Sequence, residues 1–157
     1  MSADLLAGLD RSRERTLAAF AADPAALDRP YAPGKWTGRR MLLHIADCEA
    51  SFLDRVKRFL AEAKPLVLSF DENLWDARLS FPGRSLAIAR DLFAANRAAL
   101  RELAGSIGAA EWSRSGVHTE AGRLTVADLV AKVVWHDEHH LEQVEAAIAG
   151  RTWVKAG

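Results

Sequence analysis

Apolar residues recur every three to four positions along most of this chain, in four long segments. The second segment is the clearest, because Thr37 is a good helix N-cap and Pro65 disfavours helical geometry just beyond Ala63. Its apolar stripe consists of Met41, Ile45, Cys48, Phe52, Val56 and Phe59. No period-two pattern predicts strands. We therefore expect four amphipathic helices that bury their stripes against one another.

Similar signals bound the other segments. The first helix ends before Pro24, the third covers about Ser85 to Ile107, and the fourth runs from its N-cap Thr125 to Gly150. The expected buried side of the third helix is Leu86, Ala89, Leu92, Phe93, Asn96, Ala99, Leu100 and Leu103.

Two irregular stretches, residues 64–83 and 108–123, separate the second, third and fourth helices. We expect short helical turns within both of them, the second at Ala109 to Trp112. The first is long enough to let two consecutive helices run parallel. These features predict an all-α four-helix bundle with a long crossover between helices two and three, in one domain spanning residues 1–157.

Composition narrows the function. Lys plus Arg equals Asp plus Glu at 21 each, so there is no electrostatic reason to expect nucleic acid or an anionic membrane as a partner. The single cysteine, Cys48, cannot form an intramolecular disulfide, which suits a reducing cytoplasm. The first residues lack a signal-peptide pattern, and no apolar run approaches the roughly 18 residues of a membrane helix.

Three histidines carry the strongest chemical signal. His136 and His140 lie four residues apart, which places both imidazoles on one face of the fourth helix, while His139 points to its polar side. His44 lies at the edge of the stripe on the second helix. If the two helices pack together, three neutral nitrogens can converge on one divalent cation. Three protein ligands with an open position are typical of a catalytic metal site.

Alternative interpretations remain for these and neighbouring residues. A single imidazole on an apolar face, such as His44, is usually a core histidine with one hydrogen bond. Two adjacent imidazoles in an apolar environment are harder to explain without a ligand. His118, in a polar loop, is interpreted as solvated. Asp137 falls near the middle of a buried face, where it either orients a metal ligand or pairs with an arginine of a neighbouring helix.

Other residues are weaker candidates for the site. Asp47, one turn beyond the first histidine, can hydrogen-bond a ligand or bound water, or be a solvated acid. Asn96 can reach a cofactor or substrate, or be a structural amide. Trp75 and Trp112 can roof the pocket or simply cover the core. Cys48 is interpreted as a buried, inert thiol, in preference to a fourth ligand or a nucleophile.

Five pieces of the chain, in order and spanning nearly its whole length, resemble the DinB-like family of metalloenzymes. They are Gly34-Lys35-Trp36-Thr37, His44-Ile45-Ala46-Asp47, Phe70-Asp71-Glu72-Asn73-Leu74-Trp75, Gly122-Arg123-Leu124-Thr125-Val126 and His136-Asp137-Glu138-His139-His140-Leu141-Glu142-Gln143. The resemblance implies an up-down-down-up bundle and a metal triad of His44, His136 and His140. It also implies zinc or nickel and a homodimer. Some members of the family transfer low-molecular-weight thiols such as bacillithiol, or use mycothiol in isomerisation.

The sequence thus predicts a metal-dependent enzyme in which three histidines hold an ion that activates water or a low-molecular-weight thiol for attack on a small electrophile. The reaction type is a hydrolase or a thiol S-transferase. Two alternatives remain open: a non-catalytic bundle that binds metal or a small ligand, and a plain helical interaction domain. Three imidazoles accept several divalent metals, so spacing alone selects none of them.

Overall fold

The computed structural model describes residues 2–79 and 83–155. Its elements, in chain order, are α1 (Ser2–Phe20), α2 (Pro24–Leu27), α3 (Gly38–Ala61), β1 (Leu66–Val67), α4 (Glu72–Leu79), α5 (Leu86–Ser106), α6 (Ala109–Trp112), β2 (Ser115–His118), β3 (Gly122–Thr125) and α7 (Val126–Ile148). The four long helices α1, α3, α5 and α7 confirm the predicted bundle. No helix in the described ranges is both long enough and apolar enough to cross a bilayer.

Side-chain caps start three of the long helices. The Thr37 hydroxyl accepts a hydrogen bond from the backbone N–H of Arg40 at the start of α3 (3.2 Å), and Ser85 caps α5 in the same way. At the start of α7, Thr125 and Asp128 cap each other reciprocally, since the carboxylate of Asp128 accepts from the Thr125 N–H (2.8 Å). The predicted N-caps Thr37 and Thr125 are therefore confirmed.

The core consists of two apolar clusters, one toward each end of the bundle. The Phe59 cluster contains Leu9, Cys48, Phe52, Leu53, Val56, Phe59, Val67, Leu100, Ala104, Trp112, Val126, Leu129, Val130 and Val133. The Phe93 cluster contains Ala19, Phe20, Leu27, Met41, Leu42, Leu43, Ile45, Ala46, Ala89, Phe93, Leu141 and Val144. A layer of buried polar side chains lies between the two clusters: Ser12 and Thr16 on α1, Glu49 on α3, Arg97 on α5 and Asp137 on α7.

The clusters reveal the helix directions. Met41 and Ala89, near the N-termini of α3 and α5, lie in the Phe93 cluster, whereas Phe59 and Ala104, near their C-termini, lie in the Phe59 cluster. Helices α3 and α5 therefore run parallel. Contacts of α1 show that it runs parallel to α7 and antiparallel to α5. These contacts join Gly8 with Val134, Arg15 with Glu145, Asp10 with Arg101 and Phe20 with Phe93. The bundle is thus up-down-down-up.

A small sheet joins the two long connections, and the sequence patterns did not predict it. Its strand order is β1-β2-β3, with β1 parallel to β2 and β2 antiparallel to β3. The expectation of no strands was wrong here because strands of two to four residues are too short to show alternation. The first connection also contains α4, and residues 80–82 of that predicted connection lie outside the described residues.

The buried polar layer is organised by Arg97 of α5, whose side chain is 0% exposed. Its guanidinium donates two hydrogen bonds of 2.7 Å to Glu49 on α3, and others to Asp137 on α7 and to Ser12 and the carbonyl of Leu9 on α1. Each nitrogen of the group is satisfied, as a buried guanidinium requires.

The sequence assigned the buried face of α5 incorrectly at two places. Leu92, expected in the core, is 50% exposed, and Asn96 is only half-buried. The fully buried polar residue is instead the neighbouring Arg97. Charged residues are rarely buried without partners, and its partners Glu49 and Asp137 belong to other helices.

We expect the substitution Arg97→Met to destabilise the fold by about 3–5 kcal/mol, because it leaves two buried carboxyl groups without their cation. Arg101→Met on the same helix is the matched control. Its partner Asp10 is exposed, so the loss should stay below about 1 kcal/mol. Urea unfolding of both variants measures the difference, and equal effects would contradict a central role for Arg97.

Candidate metal centre

The structure brings together the three histidines that the sequence singled out. Nε2 of His44 on α3 lies 3.1 Å from Nε2 of His136 on α7. The ring of His140 lies 5.0 Å from that of His44 and 4.5 Å from that of His136, between centroids. Because α3 and α7 are antiparallel neighbours, His44 near the start of α3 lies beside His136 and His140, at and beyond the middle of α7. All three rings therefore border one small volume.

Burial keeps two of these imidazoles neutral. Desolvation, together with the neighbouring His136 and His140, lowers the pKa of His44 to about 3. Desolvation and His136 likewise lower the pKa of His140 to about 4, although a hydrogen bond with Gln143 partly opposes the shift. At neutral pH both rings are uncharged, which is the form that binds a metal.

Hydrogen bonds at Nδ1 orient two of the rings. Nδ1 of His140 lies 2.8 Å from the side-chain oxygen of Gln143, and Nδ1 of His136 lies 3.5 Å from a carboxylate oxygen of Asp137. Both partners are acceptors, so each contact favours the tautomer with the proton on Nδ1, in which Nε2 keeps its lone pair. Metal-binding histidines in proteins are commonly held by such partners.

Asp137 links the histidines to the buried layer. Burial acts to raise the pKa of Asp137, but its hydrogen bond with His136 and the charge of Arg97 outweigh that effect, so the pKa is lowered. The ionised carboxylate can thus accept from both partners. The sequence left two roles open for Asp137, orienting a metal ligand or pairing with an arginine. The structure shows a contact of each kind, one with His136 and one with Arg97.

Cys48 offers another donor atom at the same place. Its sulfur lies 3.6 Å and 3.7 Å from the two ring nitrogens of His44, and single donor atoms of His44, Cys48 and His136 lie within 4.8 Å of one another. Burial raises the pKa of the Cys48 thiol, so it is protonated at neutral pH. His44 and His136 are therefore common to two possible donor sets, completed by His140 or by Cys48.

These donors fit a divalent cation. Two nitrogens bound to a tetrahedral cation at about 2.0–2.1 Å lie about 3.3 Å apart, close to the 3.1 Å between His44 and His136. The same contact also accommodates a hydrogen bond from His44 to His136. Neutral imidazoles and a thiol suit zinc or nickel better than magnesium or calcium, which prefer oxygen ligands.

A cavity of about 900 Å³ adjoins the histidines and has room for a small molecule. His136, His140 and Cys48 form one part of its lining, and Phe52, Phe70 and Trp135 supply aromatic walls. His139 lines it too. It stacks on Trp135, as its predicted position on the helix implied, but its ring also lies 5.2 Å from that of His140.

Most of the other predicted site residues have partners of their own, and the functional roles of all of them stay predictions. Asp47 accepts a hydrogen bond of 2.7 Å from Arg84. Asn96 is half-buried on α5, beside the buried layer. Trp75 stacks on Phe70 at 4.2 Å and lines a smaller neighbouring pocket. Trp112 is buried in the Phe59 cluster.

Sequence reasoning missed four residues that shape the site. Arg97 holds Asp137 and is itself held by Glu49, Gln143 holds His140, and His118 of the β2–β3 hairpin lines the cavity. One signal was available for Gln143, since it lies three residues after His140 on the same helix face. His118 had no such signal, because only the fold of the hairpin brings it to the cavity.

Comparison of sequences places this chain among known proteins. It is 34% identical over 125 residues to a Bacillus licheniformis protein, covering 76% of this chain and 69% of the relative. It is 30% identical over 123 residues to YfiT of Bacillus subtilis, covering 75% and 67% of the two chains. Both relatives are named "putative metal-dependent hydrolase".

Solved structures share the fold. YfiT from Bacillus subtilis, described as "a probable metal-dependent hydrolase with an unusual four-helix bundle topology", superposes with a TM-score of 0.85 at 21% identity, over 96% of this chain and 89% of that one. The four-helix bundle protein TT2238 superposes with a TM-score of 0.66 at 24% identity, over 93% and 99%. The model of the DinB superfamily matches residues 8–144, and the chain therefore belongs to that superfamily, as its motifs predicted.

Proposed function

We propose that this protein is a metal-dependent hydrolase in which His44, His136 and His140 hold a divalent cation and the adjoining cavity holds a small substrate. One observation carries the proposal: three imidazoles meet beside a cavity, with Nδ1 of two rings engaged by acceptors and the Nε2 lone pairs left for a cation. The names of the relatives support hydrolysis as the reaction.

A divalent cation with an open coordination position supplies Lewis acidity there, which lowers the pKa of a water molecule or thiol at that position. The protein supplies orientation and shielding. Gln143 and Asp137 fix the tautomers of His140 and His136. Trp36 packs edge-on against His44 at 5.4 Å between centroids, and Phe52 packs similarly against His136 at 5.2 Å, so aromatic side chains shield both imidazoles.

We propose zinc or nickel as the native metal, on the chemistry of the donors and the resemblance to the family. That resemblance also favours a low-molecular-weight thiol as an alternative nucleophile and a homodimer as the assembly. The lone buried Cys48 fits a reducing cytoplasm as the location.

Removal of a ligand should release the metal. We expect His136→Ala to weaken zinc retention by more than the roughly 10–100-fold that loss of an outer partner costs. His139→Ala, three residues away, is the control and should retain zinc as the wild type does, because the ligand set does not include it. Elemental analysis of protein never exposed to a nickel column measures both. A His136→Ala protein with a full complement of metal rules out this ligand set.

The third ligand can be identified by a second pair of variants. We expect His140→Ala to lose zinc and Cys48→Ala to keep it, since Gln143 engages Nδ1 of His140 and leaves its Nε2 for a cation, while the Cys48 sulfur packs against the ring nitrogens of His44. Competition with a coloured chelator gives the two affinities. The opposite result, zinc lost from Cys48→Ala and kept by His140→Ala, would replace His140 by Cys48 in the site.

Turnover should depend on the metal. We expect zinc-loaded protein to hydrolyse uncharged aryl esters or amides, to lose that activity on chelation and to regain it with zinc. Arg101→Ala, which removes only a half-exposed ion pair with Asp10, is the control for general damage. Faster consumption of an electrophile when a thiol is added would favour thiol transfer. Tight zinc retention without turnover of any substrate would favour the non-catalytic alternative.

The same assay tests Asp47. Asp47 lies one helical turn beyond His44, and we propose that its carboxylate accepts a hydrogen bond from a metal ligand or from bound water. Asp47→Asn should therefore lower kcat several-fold while zinc retention is unchanged. Unchanged turnover would confine Asp47 to its ion pair with Arg84.

A further inference from the structure

His118 ends strand β2 and lines the same cavity as His136 and His140. The hairpin turn that follows it closes at Gly122, whose φ of 73° lies in the left-handed region that glycine adopts without strain. Within this turn the backbone N–H groups of Glu120 and Ala121 both point at Nδ1 of His118, at 3.2 Å and 3.3 Å.

These two contacts define the tautomer of His118. A ring nitrogen that accepts from backbone N–H groups must carry a lone pair, so Nδ1 is unprotonated and the proton of the neutral ring is on Nε2. Desolvation and the nearby charge of Arg55 lower the pKa of His118, which keeps the ring neutral. With Nδ1 engaged by its own turn, the Nε2–H is the polar group that the ring can offer to the cavity.

The hairpin holds this imidazole in place. His118 pairs in register with Val67 of β1, and the N–H of Thr119 donates to the carbonyl of Val67 at 3.1 Å. The hydroxyl of Thr119 in turn accepts from the N–H of Ser69 at 2.9 Å. His118 is therefore tied to both long connections of the bundle, and its donor group is pre-organised.

Charges around the cavity indicate the kind of molecule that fits. Its charged lining residues are two cations, Arg55 and Lys132, and three acids, Glu72, Glu120 and Asp128. This near-balance gives no advantage to a ligand with a net charge.

The side chains of the cations are also engaged. Arg55 donates to the carbonyl of Leu68 at 2.6 Å and lies 5.5 Å from the ring centre of Phe70. Lys132 lies 3.8 Å over the ring of Trp135. The walls also include Phe52, Leu124 and Leu129, and this apolar surface suits an apolar or aromatic ligand body.

We propose that the Nε2–H of His118 donates a hydrogen bond to the carbonyl oxygen of an uncharged aromatic acyl compound bound in this cavity beside the histidine triad. The reaction of that compound rests on the proposed hydrolase function, whereas its binding rests only on His118 and the cavity walls. His118 is thus a substrate-binding residue contributed by the hairpin. It offers an N–H donor, whereas the proposed metal ligands offer lone pairs.

Benzamide, which has a carbonyl acceptor, and toluene, which has none, are suitable probes in the 157-residue chain without added metal. His118→Asn is the matched variant, because the Asn oxygen can still accept from the turn N–H groups, while its amide N–H groups do not reach as far as the imidazole Nε2–H. Since one net hydrogen bond is lost, we expect benzamide to bind the variant about three- to tenfold more weakly and toluene to bind both proteins equally. Benzoate should bind the wild type no more tightly than benzamide.

Nitrogen-15 spectra of the wild-type histidines give a second, independent readout. We expect His118 in its Nε2–H tautomer, with that N–H resonance shifting on addition of benzamide. The proposal is overturned if wild type and His118→Asn bind benzamide equally, if benzamide does not bind at all, if benzoate binds more tightly, or if His118 carries its proton on Nδ1. Zinc retention by His118→Asn should equal that of the wild type, so these results are separate from the test of the metal centre.

Discussion

The guanidinium of Arg97 contacts all three of the other long helices, and the register of the bundle depends on it. It bonds Leu9 and Ser12 on α1, Glu49 on α3 and Asp137 on α7. A guanidinium buried without partners costs several kcal/mol, so a sliding of any helix by one turn would break a required bond. Asp137 also touches His136, and the constraint that aligns the helices therefore extends to the candidate metal centre.

The direction of the helices explains why the two long connections, and not only the helices, line the cavity. Helices α3 and α5 run parallel, so the chain must return along a helix of 24 residues, or about 36 Å, between them. That return supplies β1, which pairs with the hairpin of the second connection. The two connections together carry Phe70 and His118 to the cavity, facing the residues of α7. Topology thus creates the room beside the histidines.

The sequence could predict those features of the fold and the site that depend on residues close together along the chain. The caps Thr37 and Thr125, the stripes of the helices and the shared face of His136 and His140 all follow from spacings of a few residues. Burial of Arg97 depends on carboxylates 48 and 40 residues away, so the local pattern favoured Asn96 and Leu92 instead. The sheet depends on pairing between segments about 50 residues apart, such as Leu66 with Val117. No periodicity in a short segment contains that information.

Histidines that line this cavity present opposite groups to it, either an Nε2 lone pair or an Nε2–H. The difference depends on which kind of atom contacts Nδ1 of the ring. For His136 and His140 that atom is a side-chain oxygen, so Nδ1 holds the proton and Nε2 keeps a lone pair suited to a cation. For His118 it is a pair of backbone N–H groups, so Nδ1 keeps the lone pair and Nε2 holds the proton. In the proposed function, an acyl substrate would meet both kinds of group near its carbonyl: a Lewis-acidic cation held by helix side chains, and the Nε2–H of His118, whose tautomer the hairpin backbone sets. On that proposal, changes in the hairpin would alter substrate choice without disturbing the metal ligands.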